Sequence, residues 1–363
     1  MDILIPDFYA HDMHGVEKSE MESLITGRLL AWYDSYGRDL PWRIKGGLGN
    51  PYHVWLSEIM LQQTTVTAVK PYFETFIQRW PSFEHFAQAS EEEVMNAWAG
   101  LGYYSRARNL LKAAREVAAH HGGELPGDEK SLLNLPGIGP YTAAAIAAIA
   151  FGRRAVVMDG NVERVMARYH GIDTPLPHAK PVLKQLADKH TPHERAGDYA
   201  QAVMDLGATI CTPKSPKCLI CPVRSSCRAH FLNKEEAFPV KGPKKAKPSR
   251  RGLAFFVLDA GNIFLVRRPP KGLLGSMLAL PSSPWETDLS IENAFQHAPQ
   301  GFQGKILPGH VEHVFTHFRL ELHVAVGQVS HIKTEGQWLN VEKAIHDLPS
   351  VMKKAVRYAQ AAL

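Results

Sequence analysis

Residues 135–143 read Leu135-Pro136-Gly137-Ile138-Gly139-Pro140-Tyr141-Thr142-Ala143, and an Ala-rich apolar run to Phe151 follows. Two glycines flanking one apolar residue let the backbone turn tightly between two helices while its amides stay free to point outward. Pro140 suits the first position of the next helix, where a missing N–H costs nothing. A phosphate oxygen meeting those amides and the positive helix end is favourably held with no side-chain charge required. Gly137 and Gly139 therefore read as the hairpin of a helix-hairpin-helix motif, suited to a DNA backbone. An ordinary helix–helix turn is the plain alternative, since Gly-x-Gly alone is common.

Outward from the hairpin, the pattern is helical from Glu20 to about Ile210. Tyr52–Val69, Ser90–Trp98, Ser105–His120 and Thr142–Phe151 place apolar residues three and four apart, separated by Pro and Gly breaks. The composition changes near residue 232. Lys241 to Arg251 holds six cations, two prolines and one glycine in eleven residues, which reads as an extended linker. Such a run is either a solvated tether or a strap along phosphate. Beyond it, Leu253–Leu258, Ile263–Arg267 and Val311–Val329 read as strands, with period-two alternation over residues 319–324, and Ser350–Ala362 as a final helix. The expected domains are an N-terminal extension (1–19), a mainly α part (20–232), a basic linker (233–251) and an α+β part (252–363).

All four cysteines of the chain, Cys211, Cys218, Cys221 and Cys227, fall within seventeen residues as C-x6-C-x2-C-x5-C. Four thiolates in one short loop are a complete ligand set for a single metal centre. Zinc ribbons usually present two Cys-x2 pairs and here there is one, so a cubane iron–sulfur cluster is favoured, with zinc the competitor. Disulfides fit poorly, since the chain is large and a lone Cys-x-x-Cys is a poor structural bridge.

The 363 residues exceed the usual single-domain size, and 45% apolar with 21% charged residues is ordinary for a globular protein. A net charge of +5 favours a polyanionic partner without requiring one. No stretch reaches the length of a membrane span and the start resembles no signal or transit peptide, so the expected location is cytoplasmic. Two acidic residues stand out. Asp159, twenty residues past Gly139, ends an apolar run before Gly160-Asn161 and a fresh helix, where it could simply be a cap. Glu58 lies between Leu56, Ile59 and Met60 on an apolar helix. A buried Glu is commonly structural, yet burial also raises its pKa as a general acid near neutral pH requires.

Hairpin, Asp159 and cysteine loop together resemble the endonuclease III superfamily of DNA glycosylases. Within it, the chain is most similar to the MutY family of adenine DNA glycosylases. The supporting strings are Leu40-Pro41-Trp42-Arg43, Trp55 to Thr64 (WLSEIMLQQT), Gly100 to Arg108 (GLGYYSRAR) and Asp159-Gly160-Asn161-Val162. The resemblance implies a helix-hairpin-helix glycosylase with a [4Fe-4S] loop (211–227), followed by a Nudix-like domain. It implies that Glu58 protonates adenine and later activates water, that Asp159 stabilises the sugar cation, and that Tyr141 and Asn161 support them. Relatives that also nick the strand carry a lysine where this chain has Tyr141, so the chain should be monofunctional. The implied substrate is adenine opposite 8-oxoguanine or guanine in duplex DNA, met by a nucleoid-associated monomer.

The resemblance also makes Gln63 and Tyr103 residues that wedge into the duplex; otherwise they are a polar helix face and a core aromatic. Arg106, Arg108 and Lys112 read as a basic face touching phosphate, or simply a solvated one. Phe315-Thr316-His317 matches the family's Phe-Ser-His lesion-recognition loop with Thr for Ser, which keeps the hydroxyl and adds a methyl. Nothing between Pro281 and Leu307 supplies the Glu-dense helix of a hydrolytic Nudix enzyme. The rival readings are a pyrimidine or mismatched-thymine glycosylase of the same superfamily, and a non-catalytic iron–sulfur DNA-binding protein.

Overall fold

The computed structural model describes residues 18–242, 246–269, 272–329 and 335–363. The chain divides into two units, Met1–Pro243 and Lys244–Leu363. Of the expected N-terminal extension, residues 1–17 lie outside the described residues, and Lys18 and Ser19 begin the first helix.

Helices in the first unit follow the order α1 Lys18–Tyr36, α2 Pro51–Leu61, α3 Val66–Arg79, α4 Phe83–Ala87, α5 Glu91–Trp98, α6 Ser105–His120, α7 Glu129–Leu132, α8 Pro140–Phe151, α9 Gly160–His170, α10 Lys180–His190, α11 Ala196–Thr209 and α12 Arg228–Phe231. The expected helical stretch Tyr52–Val69 is two helices, α2 and α3, broken at residues 62–65. The break has a local cause: the Thr65 hydroxyl accepts the Ala68 amide and so caps a new start. Ser90, read as the first residue of a helix, is instead the N-cap of α5, closing a capping box with Glu93.

Every residue of α8 from Thr142 to Ala150 is buried, as a helix apolar on all sides must be. Its small side chains let α11 cross closely; a Cβ at Gly197 would lie 2.6 Å from the Ala148 carbonyl oxygen. A dense aromatic group packs Trp55, Phe73, Phe76, Phe86 and Trp98, all fully buried, against one another and their neighbours. Each such side chain contributes roughly 1.5–3 kcal/mol by leaving water. The hairpin before α8 needs one of its glycines for backbone reasons: Gly137 has φ +80. Gly139 has φ −98, caps α8 and faces open space.

In the second unit, one mixed sheet contains β1 Ser249–Asp259, β2 Asn262–Arg267, β3 Leu278–Ala279, β4 Phe302–Ile306, β5 Val311–Val314, β6 Arg319–Val329 and β7 Gln337–Asn340. Its path is β3-β2-β1-β6-β4, with β1 and β6 parallel in the register Ser249↔Arg319 to Val257↔Gly327. Period-two alternation sends Ala254 and Phe256 to one core and Leu253, Phe255 and Val257 to another, so both faces of β1 are covered. The first face is packed by α14 Val341–Asp347 and α15 Ser350–Gln360, the second by α13 Ile291–Ala294. An α+β unit follows a mainly helical one, as expected. The last residues assigned to the linker are strand: Arg250 stacks over Phe318 at 4.5 Å and Arg251 pairs with Glu321 at 3.3 Å.

Candidate active site and metal centre

Three helices meet at Glu58. It sits on the buried face of α2 with 6% of its surface exposed, and its Oε2 accepts a 2.7 Å hydrogen bond from the Tyr141 hydroxyl in the first turn of α8. That hydroxyl also lies 3.6 Å from Met204 Sδ on α11. Burial pushes the Glu58 carboxyl above its ordinary value; Tyr141's hydrogen bond and the charge of Arg43 oppose the rise, and the charge of Asp159 adds to it. Tyr141 is itself raised well above an ordinary phenol, by burial and then by the charges of Glu58 and Asp159. A carboxyl that holds its proton where an exposed one would be ionised is a proton donor in waiting.

Asp159 is the N-cap of α9. Its Oδ1 accepts the amides of Asn161 at 2.9 Å and Val162 at 2.7 Å, and its Oδ2 accepts the Asn161 side-chain amide at 2.7 Å. Capping is therefore a fact of the fold, and it leaves the carboxylate oriented by three donors. Asn161 is held in turn by Arg164, whose Nη2 donates to Asn161 Oδ1 at 2.8 Å and to the Gly207 carbonyl at 2.7 Å. Gly207 on α11 makes this possible, since a Cβ there would lie 2.5 Å from Asn161 Cβ. Sequence reasoning missed Arg164. The available signal was its place one helical turn after Asn161.

Arg43, noted only as part of a matching string, ties this centre to a second buried carboxylate. Asp205 on α11 is fully buried and takes Arg43 Nη1 at 2.8 Å, Arg38 Nη2 at 2.7 Å and the Arg38 amide at 2.8 Å. Burial alone would raise its pKa; the two guanidiniums outweigh it and hold the carboxyl below the usual range.

Gln63 and Tyr103 are both exposed, on loops following α2 and preceding α6. Arg108 is half-buried and Lys112 exposed on α6. Arg106 corrects the expected basic face. It is only 8% exposed, and its guanidinium donates to the carbonyls of Ile59, Met60, Leu101 and Gly102 and to the Thr64 hydroxyl. The reason is helical phase: at about 100° per residue, Arg106 shares a stripe with Leu110, Ala113 and Val117, away from Arg108.

Four free, half-buried thiols gather past the end of α11: Cys211, Cys218 opening a short 3₁₀ turn, and Cys221 and Cys227 each capping the end of one. Arg168 of α9 braces the loop, with Nη1 3.4 Å from Cys211 Sγ and 2.7 Å from the Thr212 carbonyl. Burial first, then the charges of Glu235 and of the neighbouring thiols, push Cys218 to about 11; burial and the neighbouring thiols push Cys221 to about 12. Thiols that repel one another's ionised forms in a half-buried nest want a cation between them, so the donor set fits an iron–sulfur cluster. Beside Cys218, His230 Nδ1 meets Glu235 Oε1 at 2.6 Å.

In the second unit, residues 315–317 form the turn between β5 and β6, closed by the Phe315 amide on the Phe318 carbonyl at 2.9 Å. Thr316 and His317 are exposed at the tip. Phe315 is an anchor, stacked on Phe318 at 4.8 Å and Trp285 at 5.8 Å, with its carbonyl taken by Lys247 at 2.9 Å.

Three family profiles match the chain: the HhH-GPD superfamily of base excision DNA repair proteins over residues 56–192, the NUDIX domain over 253–358 and the iron-sulfur binding domain of endonuclease III over 211–227. The adenine DNA glycosylase of Homo sapiens is 36% identical over 403 aligned positions, covering 92% of this chain and 73% of that protein. Among solved structures, a thermostable thymine-DNA glycosylase is 30% identical with a TM-score of 0.53, covering 58% of this chain and 97% of that one. An endonuclease III in a non-covalent complex with DNA shares the fold at 22% identity and a TM-score of 0.51, over 60% of this chain and 99% of that one.

Proposed function

The chain belongs to the adenine DNA glycosylase family, and from that premise we propose that it releases adenine mispaired with 8-oxoguanine or guanine and leaves an abasic site. It is a base-excision repair glycosylase that acts on adenine in DNA, with a [4Fe-4S] cluster on its four cysteines. The observation that carries the mechanism is the buried Glu58 carboxyl, raised above its ordinary value and hydrogen-bonded to Tyr141.

Adenine leaves poorly as an anion. A proton on the base makes the leaving group neutral, and the deoxyribose becomes oxocarbenium-like, so the reaction wants an acid on one side and an anion on the other. Glu58 supplies the proton. Tyr141 donates to Oε2 and leaves Oε1 to face the base. Once ionised, Glu58 takes a proton from the attacking water. Asp159, already fixed by the amides of Asn161 and Val162, faces the growing positive charge without having to reorganise. Tyr141 cannot form the Schiff base a lysine would, so the strand stays intact. Cys211, Cys218, Cys221 and Cys227 would hold the cluster, which would cross-link the loop beyond α11; the exposed Lys214, Lys217, Arg224 and Arg228 of that loop suit the DNA backbone.

Thr316 and His317, exposed on an aromatic anchor, suit the reading of 8-oxoguanine opposite the adenine, and Gln63 and Tyr103 suit opening the stack. We place the protein with the DNA in the cytoplasm, as a monomer; among the described residues no helix is long and apolar enough to cross a membrane. The kinship of the helical unit to a thymine-DNA glycosylase keeps one rival alive, and Glu58 together with the NUDIX unit speaks against it. Base release from duplexes carrying adenine or thymine opposite guanine, and adenine opposite 8-oxoguanine, followed by alkali, tests the proposal. Free adenine and alkali-dependent breaks are expected. Free thymine, or breaks without alkali, would overturn it.

A further inference from the structure

Gln63 has φ +56 and Tyr103 has φ +48, a left-handed backbone that non-glycine residues rarely adopt. Such residues persist only where their surroundings over-determine them. One side chain over-determines both. Arg106 Nη1 donates to the carbonyls of Ile59 and Met60, each at 2.9 Å, and Nη2 to Thr64 Oγ1 at 3.2 Å, so one loop is gripped on both sides of Gln63. The same Nη2 donates to the carbonyls of Leu101 and Gly102, each at 3.2 Å, immediately before Tyr103. The guanidinium lies 5.1 Å from the Trp98 ring and 5.7 Å from the Tyr103 ring, and Trp98 Nε1 also donates to the Gly102 carbonyl at 3.0 Å.

Only arginine fits this place. Ile59 and Met60 lie in the last turn of α2, where the Ile59 carbonyl takes the Gln62 amide at 3.3 Å and a cation is favoured, and a planar fork with five donors can serve several acceptors at once. A lysine offers a single point of charge. At 8% exposure, the group is also too deep to meet a phosphate.

We propose that Arg106 is a positioning residue, a buried strut that holds Gln63 and Tyr103 as one rigid wedge for unstacking the duplex. The inference rests on the wedge reading of those two side chains. Unstacking is costly, and a wedge that can recoil into its own loop delivers less of that work.

The test uses the full-length protein and duplexes with 2-aminopurine beside the mispaired adenine, whose fluorescence rises on unstacking. Arg106→Lys should fold, and its affinity for undamaged duplex should keep the parent's dependence on salt. The fluorescence rise should be lost and the single-turnover rate at saturating protein should fall at least about tenfold. Adding Tyr103→Ala should then lower the rate little further, because the two act as one unit. In Arg106→Gln, which removes the charge, a salt slope reduced by about 1 would mean a phosphate contact and overturn the proposal. So would full additivity of the two changes. Should the lysine variant not fold, Thr64→Val removes one of the strut's acceptors and must move the same signal the same way; an unchanged signal overturns the proposal. Gln63→Ala and Tyr103→Ala separate the failures. If both unstack normally, the wedge reading falls and takes the strut with it. If both fail while Arg106→Lys unstacks normally, only the strut falls.

Discussion

Glu58 and Asp205 are two buried carboxylates of the same helical unit, both within the field of Arg43, and they are shifted in opposite directions. Asp205 is fully buried with two guanidiniums on its oxygens, and they hold it ionised. Glu58 is nearly as buried and receives one phenol, so burial outweighs that hydrogen bond and pushes the carboxyl up. Depth is therefore no guide to role. The partner decides: a cation makes a carboxylate into a structural pin, and a neutral donor leaves it an acid.

The sharpest way to break this contrast is to neutralise each group in turn. Glu58→Gln, nearly isosteric and still able to accept from Tyr141, should lose roughly 10²–10⁴ in single-turnover base release while keeping its affinity for mispaired duplex. A rate within about tenfold of the parent would make Glu58 a second pin. Asp205→Asn should leave two guanidiniums facing a neutral amide in a buried place and cost about 3–5 kcal/mol of stability, read from denaturant unfolding. A loss below about 1 kcal/mol would show that the pin does not hold α11.

The two groups should also respond to pH with opposite signs. Glu58 is raised above its ordinary 4.5, so the native state holds a proton that the unfolded chain has lost. Its contribution is full below about pH 4.5 and is lost as pH rises through the raised value, at about 1.4 kcal/mol for each tenfold difference in acidity between the folded and the unfolded chain. Glu58→Gln should therefore gain on the parent as pH rises from 4.5. Asp205 is lowered from 3.8, so its contribution is present above that value and is lost as pH falls through the depressed one. The deficit of Asp205→Asn should shrink in acid. Unfolding midpoints between pH 3 and 9 would decide, and parallel curves for the two variants would sink the contrast.

The smallest expected effect concerns the group the two sites share. Arg43 lowers Glu58 only through its charge but bonds Asp205 directly. Arg43→Lys should hence leave the pH dependence of base release nearly unchanged while costing stability, whereas Arg43→Gln should also move the alkaline limb of the rate profile upward. A rate profile that moves equally in both variants would mean that geometry, and not charge, carries the influence of Arg43.

Much of this was legible in the chain because the relevant physics is local. Gly137-Ile138-Gly139-Pro140 encodes a turn and a helix start within four residues. The four cysteines sit in one loop. Period-two alternation over residues 319–324 announces β6, and the apolar stripe of α6 reproduces its bounds, Ser105–His120. The break between α2 and α3 was less legible, because a Thr cap inside an otherwise helical pattern looks like one more polar position.

Arg106 marks the boundary between the two kinds of knowledge. Its stripe on α6 could have been counted, yet nothing in the chain says that three acceptors 42 to 47 positions away would converge there with two from the turn just before α6. By itself, the sequence determined the order of helices and strands, the cysteine ligand set, and which carboxylates were candidates for chemistry. Those follow from periodicity, turn residues and spacing, all short-range along the chain. The tertiary structure alone decided which buried carboxylate meets a phenol and which meets two guanidiniums, and which arginine is a strut. These depend on residues some 40 to 170 positions apart being brought within hydrogen-bond reach, and in a low-dielectric interior that contact sets the charge state and so the role.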